Sequence, residues 1–263
     1  MIAQFAIRLI CGMSLSWCLT PRKQVTDGFF RIQMLIVLGL GVLTALVCSG
    51  LWGQSPLPGG NQLSLSLGES APAWLATMIA VLAYVGSFVW ALGHRRWGNS
   101  IIAIITGLGL LLLAGTTWIT TGLSSSRQAL AMASELSTSL LLGSAMVSML
   151  LGHWYLTATG MPLEPLARLN TVLGLATVAR LSLAATGLLV IGGWPTSDHQ
   201  VLLLVLRWLA GLLGPLVIVG MVWRILKYRN TQSATGVLYV GVVLALTGEL
   251  TATLLFQELS VHV

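Results

Sequence analysis

Apolar residues run along this chain in long blocks separated by short polar breaks. Eight blocks are long enough to cross a membrane: Ile2–Thr20, Gln33–Gly53, Ala73–Gly93, Ser100–Gly122, Glu135–Ala158, Asn170–Gly193, Val201–Trp223 and Ala234–Leu259. A helix rises about 1.5 Å per residue, so about 20 apolar residues cover the hydrocarbon core of a bilayer. The breaks are rich in Pro, Gly and charged residues, which punctuate helices. A membrane β-barrel would need polar and apolar positions to alternate. Leu110–Leu113 and Val201–Val205 are instead continuously apolar. The pattern predicts an all-α, polytopic transmembrane helical bundle of about eight spans, with residues 1–263 forming a single integral membrane domain.

Composition agrees. Of the 263 residues, 56% are hydrophobic and 8% are charged, against roughly 25% charged in a soluble domain. That excludes a water-exposed globular surface, and the aliphatic content excludes disorder. The formal charge of +6 would, in a soluble protein, raise nucleic-acid binding. Here the basic residues punctuate apolar segments rather than forming a patch, so the expected partner is the lipid bilayer and not nucleic acid.

Loop charges predict the orientation. Connections 21–32, 94–99, 159–169 and 224–233 hold nine basic residues: Arg22, Lys23, Arg31, Arg95, Arg96, Arg168, Arg224, Lys227 and Arg229. Connections 54–72, 123–134 and 194–200, with both chain ends, hold only Arg127. By the positive-inside rule the first set faces the cytoplasm, which places the protein in a cytoplasmic (inner) membrane with both termini extracytoplasmic. Nine of the ten Trp fall near predicted span ends, as an aromatic belt requires, and only Trp208 lies well inside a span. Met1–Phe5 lacks the basic start of a signal peptide, so the first block reads as a retained helix.

The connections are short. Gln54–Pro72 reads as irregular, and Ser124–Ser134 as at most a short interfacial helix. None has room for a soluble catalytic domain, so the chain is not expected to be catalytic by itself, and protein partners in a membrane complex are expected. No P-loop, GxSxG, HExxH or CxxCH motif is present. Cys11, Cys18 and Cys48 form no CxxC pair and read as packing residues, and no Cys/His grouping has metal-site spacing.

Four charges fall inside predicted spans, away from the span ends: Arg8, Arg180, Arg207 and Glu249. Each costs roughly 2.5–3.5 kcal/mol near the bilayer centre on insertion scales. Residues three and four apart share a helix face. Arg180 shares its face with Ala176, Ala184 and Gly187, Glu249 with Gly241, Ala245 and Thr253, and Arg207 with Gly211 and Gly214. Small residues mark helix contacts in membranes, so these three charges point into the bundle. Matching depth makes Arg180 and Glu249 the expected ion pair, while Arg8 and Arg207, nearer the outer surface, have the option of snorkelling. Three arginines against one carboxylate predict an outward-facing cavity for an anion, a carbonyl-rich ligand or water. Pro215, mid-span beside Gly214, predicts a kink because it withholds a hydrogen bond from Gly211.

The most distinctive local run is His153-Trp154-Tyr155, beside a stripe of Ser144, Ser148 and Gly152 that predicts tight packing. A titratable imidazole flanked by aromatic rings suits a quinone headgroup; an interfacial aromatic belt with a hydrogen-bonded His explains the run as well. A bis-His haem would need a second His at similar depth, and only His94 qualifies, in a basic edge. The sequence assigns no cofactor; quinone fits the run better than haem does. Three functions fit: a membrane subunit or accessory protein of an electron-transfer system with a quinone- or proton-handling site, a small anion or solute carrier or channel using buried arginines, and a ligand-free structural or assembly factor. The candidate ligand-binding or proton-handling residues are His153, Trp154, Tyr155, Arg180, Arg207 and Glu249, with Pro215 as the kink.

Overall fold

A computed structural model describes residues 2–50, 67–121, 125–158, 160–191 and 197–259. Among these residues there are nine α-helices and no strand: α1 (Ile2–Leu19), α2 (Asp27–Cys48), α3 (Leu67–Ala91), α4 (Arg95–Thr121), α5 (Ser125–Thr157), α6 (Glu164–Ile191), α7 (Asp198–Leu206), α8 (Gly214–Lys227) and α9 (Thr231–Leu259). A π-helical stretch, Arg207–Leu213, joins α7 to α8, so that Asp198–Lys227 makes one crossing. Eight helical segments are thus long and apolar enough to span a membrane.

Most helices begin earlier than the apolar blocks predict, because charge at a helix start does not end a helix. Asp27, Glu164 and Asp198 each lie in a first turn, where a carboxylate meets the positive end of the helix dipole. Ser197 caps α7, its hydroxyl accepting from Gln200 N at 3.3 Å. The largest difference is in α5. The described part of the expected interfacial segment 124–134 is the continuous start of this helix, Ser125 onward. Glu135 therefore lies ten residues inside α5 (135 − 125) rather than at a span end.

α5 is the most buried span and packs against α1, α6 and α9. On the α1 side, Gly12 and Gly143 bring the two backbones together; a Cβ on Gly12 would overlap the Ser139 carbonyl, and one on Gly143 would overlap the Gly12 backbone. On the α9 side, Gly152 lies against Thr235 and Leu238, so the stripe does mark a tight contact. Ser144 and Ser148 are both fully buried along it. A second close crossing joins the π-helical stretch to α9, where a Cβ on Gly211 would lie 2.6 Å from Gly248 Cα. The proline is absorbed here. Gly214 N–H donates to Leu209 O, five residues back, so the turn before Pro215 widens and the predicted break becomes the π-helical stretch.

The exterior is apolar. Trp74, Trp97, Trp118, Trp223, Leu111, Leu175 and Leu202 are all exposed, as a lipid-facing surface requires. Trp17 and Trp90 depart from the expected aromatic belt: both are buried, and Trp90 stacks on Phe30 with ring centroids 4.6 Å apart. They sit near helix ends but pack inward. Cys11 is buried, whereas Cys18 is exposed and Cys48 half-buried, so only Cys11 fits the expected core role fully. Three basic connections meet at one end of the bundle. Arg22 donates to Asn99 Oδ1 at 2.9 Å, Gln24 to Glu164 Oε2 at 2.7 Å, and Arg95 Nε pairs with Asp27 Oδ1 at 2.8 Å.

Candidate functional site: a buried charge cluster beside the α1–α9 groove

All four charges singled out within spans are buried, and a fifth, Glu135, joins them. Arg8 is the centre. Its Nε donates to Glu135 Oε2 at 2.7 Å and its Nη2 to Glu135 Oε1 at 2.6 Å, a bidentate fork. Its Nη1 donates to Glu249 Oε1. Gln4 Nε2 adds a donor to Glu135 Oε1 at 3.3 Å. Arg207 Nη1 donates to the Gly248 carbonyl at 3.0 Å and lies 3.8 Å from Glu249 Oε2. Arg180 Nη1 donates to Ser134 Oγ at 2.8 Å, and its Nε has no hydrogen-bond partner among the described residues.

This geometry corrects two expectations. Arg180 and Glu249 are not bonded to each other; Glu249 takes Arg8, and Arg180 takes the serine before Glu135. Equal depth fixes position along the membrane normal but leaves open which helices touch. Nor do Arg8 and Arg207 snorkel, being 7% and 2% exposed. Both carry their charge into the bundle because carboxylate or carbonyl partners wait there. The inward orientation of Arg180, Arg207 and Glu249 holds, with the small face residues Ala176, Ala184 and Ala245 buried around them.

Glu135 is the residue the sequence reading missed. The face criterion applied to the other charges finds it: Ala131, Ser139 and Gly143 share its face and are buried. With Glu135 counted, the cluster holds, among the described residues, three guanidinium groups and two carboxylates, tying α1, α5, α6, the π-helical stretch and α9 together. Removing water from such groups is costly unless each is paired, and the bidentate fork is the strongest pairing available.

The cluster borders a cavity. A groove of about 420 Å³ runs between α1 and α9, lined by Ile2, Gln4, Phe5, Arg8, Leu246, Glu249, Leu250 and Thr253. Its accessible lining is almost wholly apolar; Gln4, Arg8, Glu249 and Thr253 are its polar lining residues, and Arg8 and Glu249 are buried. Ile2 and Leu250 at its edge are largely exposed. Arg180 and Arg207 do not line it.

The other candidate run is used structurally. Trp154 Nε1 donates to Thr26 Oγ1 at 2.7 Å, tying α5 to the start of α2. The Tyr155 hydroxyl donates to the Pro162 carbonyl and pins the turn into α6. His153 is exposed, with its ring edge-on to Tyr239 at 6.3 Å between centroids. It borders a smaller cavity of about 160 Å³ with Phe29, Gln33 and Trp154. The Gln33 amide is buried without a hydrogen-bond partner among the described residues. The structure thus brings Arg207 and Glu249 together, sets Arg180 at the edge of the same cluster, and leaves His153, Trp154 and Tyr155 in a separate place. Among the described residues no group of three or more His, Cys, Asp or Glu is arranged to hold a metal ion. Comparison with protein-family models, with characterised proteins and with solved structures finds no match.

Proposed function

We propose that the chain is a multi-pass inner-membrane protein acting as a membrane subunit or accessory protein of an electron-transfer system, with its quinone- or proton-handling site in the α1–α9 groove. One observation carries this reading: the buried pair Arg8 and Glu249 lines a groove whose surface is otherwise almost wholly apolar. A quinone has the same two parts, a polar ring and a hydrocarbon tail. The cavity falls within the roughly 300–1,000 Å³ of ordinary small-molecule sites. A carboxylate bordering the groove also suits proton exchange.

The nine-to-one distribution of loop charge supports an orientation with the basic connections cytoplasmic and both chain ends outward. The groove then opens in the outer half of the membrane. The chain supplies no motif for a redox centre, so electrons would come from a partner protein. The test is to purify the intact protein from its native membrane and extract its lipid-soluble contents. Bound quinone approaching one per chain, with a redox protein co-purifying, is the expected result. Protein that is well folded yet carries no quinone and brings no redox partner overturns the reading.

A ligand-free structural or assembly factor is the reading with a separate observation in its favour: Arg8 is already held by two carboxylates, and glycine crossings lock the same helices. Under that reading, alanine at both Arg180 and Glu249 leaves function intact wherever the fold survives. The anion-carrier reading draws on the buried arginines, but Arg180 and Arg207 do not line the groove. Uptake lost in Arg180→Ala and kept in Arg180→Lys would revive it.

A further inference from the structure

Basic residues at one end of the bundle are used in two ways. Near the start of α4, Arg95 pairs with Asp27 and also donates to the Lys23 and Val25 carbonyls at 3.4 Å each. Arg22 donates to Asn99 beside it. These guanidinium groups tie connections together. The Asn170 amide, near the start of α6, donates to the Val219 carbonyl at 3.0 Å, which brings the last turns of α8 to the same end. There the charges are not tied. Arg224, Lys227 and Arg229 are all exposed, and among the described residues none has a side-chain hydrogen bond or a carboxylate partner. Lys227 Nζ lies over the Trp223 ring, 3.7 Å from its centroid, a cation–π contact that leaves the charge in place. Basic residues suit the negative end of a helix dipole, which accounts for their presence but does not neutralise them.

The surface leading to these charges is apolar and faces outward. Residues three and four apart share a helix face. Val217, Met221, Arg224 and Tyr228 form one such row, and Gly220, Arg224 and Lys227 a second beside it. Every one of them is exposed, Tyr228 at 79%, and so is Trp223 at 59%. A Cβ on Gly220 would meet nothing within 4 Å, so the surface is low between Val217 and Arg224. The strip is thus apolar toward mid-span and cationic at the helix end, with Trp and Tyr rings where the two meet. A phospholipid has the same order. Its acyl chain fits along Val217, Gly220 and Met221, and its phosphate reaches Arg224 and Lys227, with the Tyr228 hydroxyl as a further donor. A zwitterionic headgroup brings an ammonium that the same cations repel, and an anionic headgroup does not. An acidic protein surface matches the charges but has no counterpart to the apolar strip.

We infer that the end of α8 is a binding site for an anionic phospholipid, with Arg224 and Lys227 on the phosphate and Val217, Gly220 and Met221 under an acyl chain. The site shares no residue with the α1–α9 groove and does not depend on what that groove holds. Each basic side chain at headgroup level corresponds to a factor of about 5 in affinity for an anionic lipid.

Two lipids with the same chains test it. Dioleoyl phosphatidylglycerol and dioleoyl phosphatidylcholine share acyl chains and phosphate, and differ in headgroup charge. Their binding to the detergent-solubilised full chain is measured by native mass spectrometry for wild type, Arg224→Gln/Lys227→Gln and Lys23→Gln/Arg96→Gln. The last removes the same charge from exposed positions at the same end, outside α8. All four positions are exposed, so thermal unfolding should match wild type. Arg224→Gln alone, which keeps the Lys227–Trp223 contact, gives an independent reading. The expected result is phosphatidylglycerol bound roughly 25-fold tighter than phosphatidylcholine by wild type and by Lys23→Gln/Arg96→Gln. That preference falls to about 5-fold in Arg224→Gln and to near equality in Arg224→Gln/Lys227→Gln. Equal binding of the two lipids by wild type overturns the inference, as does a preference kept in Arg224→Gln/Lys227→Gln. A preference lost equally in Lys23→Gln/Arg96→Gln overturns the local site, leaving only general attraction to the basic end. An acidic protein that co-purifies with wild type and leaves with Arg224 and Lys227, without a lipid preference, assigns the patch to a protein and overturns it too.

Discussion

Arg8, Glu135 and Glu249 direct their hydrogen bonds at one another beside a cavity, whereas Trp154 and Tyr155 direct theirs at the chain turns that hold α5 to α2 and α6. Both groups are conspicuous in an apolar sequence, and both combine polar atoms with apolar surroundings. The difference lies in what is left over. In the first group Glu249 Oε2 has no hydrogen bond among the described residues, and Arg8 and Glu249 line a groove of about 420 Å³. The second has its indole N–H and phenol O–H satisfied by fixed backbone or side-chain acceptors, and only His153 keeps a solvent-facing or lipid-facing ring. Conspicuous chemistry in a sequence becomes a site only where folding leaves some of its bonding capacity unmet.

Several substitutions probe that contrast. The largest effect is expected from Glu135→Ala, which strips Arg8 of its bidentate partner in a buried setting. Breaking a buried pair from one side costs about 3–5 kcal/mol, read as a large drop in thermal unfolding temperature in detergent. His153→Ala is the matching change at the other end and should stay within about 0.5 kcal/mol of wild type, as exposed substitutions do. Equal destabilisation by the two would break the contrast.

Next comes the backbone crossing that sets Arg8 against α5. Gly143→Ala pushes a methyl group into Gly12 and Met13 and should cost about 1–3 kcal/mol, the range for overpacking. Gly107→Ala, with open space around it, should change unfolding by no more than about 1 kcal/mol and in the stabilising direction. The same scan in detergent compares them, and a Gly143→Ala protein as stable as Gly107→Ala contradicts the close crossing. Smaller still is Tyr155→Phe. It removes one hydrogen bond to Pro162 and should cost about 0.5–1.5 kcal/mol without altering ligand content, since Tyr155 is a strut in this account. Loss of bound quinone in Tyr155→Phe would return that residue to the site.

The spans were legible because lipid demands long apolar runs and the sequence has little else. Their starts were not. Asp27, Glu164 and Asp198 are stabilised in first helical turns, so a boundary drawn at the first charge falls short. At α5 a boundary drawn at Glu135 hides its depth in the helix, although its small-residue face, Ala131, Ser139 and Gly143, is legible. The inward orientation of Arg180, Arg207 and Glu249 was legible from helical spacing. The pairing was not, because helical rise gives depth and not the neighbour across the bundle. That Arg8 meets both carboxylates depends on α1 packing against α5 through Gly12 and Gly143, a contact between segments more than a hundred residues apart. Pro215 announced an irregular turn, but not that the turn would widen into a π-helical stretch with Gly214 N–H bonded to Leu209 O.

The central claim is that the α1–α9 groove, and not the His153 end, holds the ligand. Bound quinone and hydroquinone per chain, extracted together from wild type, Leu250→Trp and His153→Ala proteins of equal thermal stability, test it most directly. The account predicts ligand in wild type and His153→Ala and its loss in Leu250→Trp. Ligand retained in Leu250→Trp and lost in His153→Ala would contradict it.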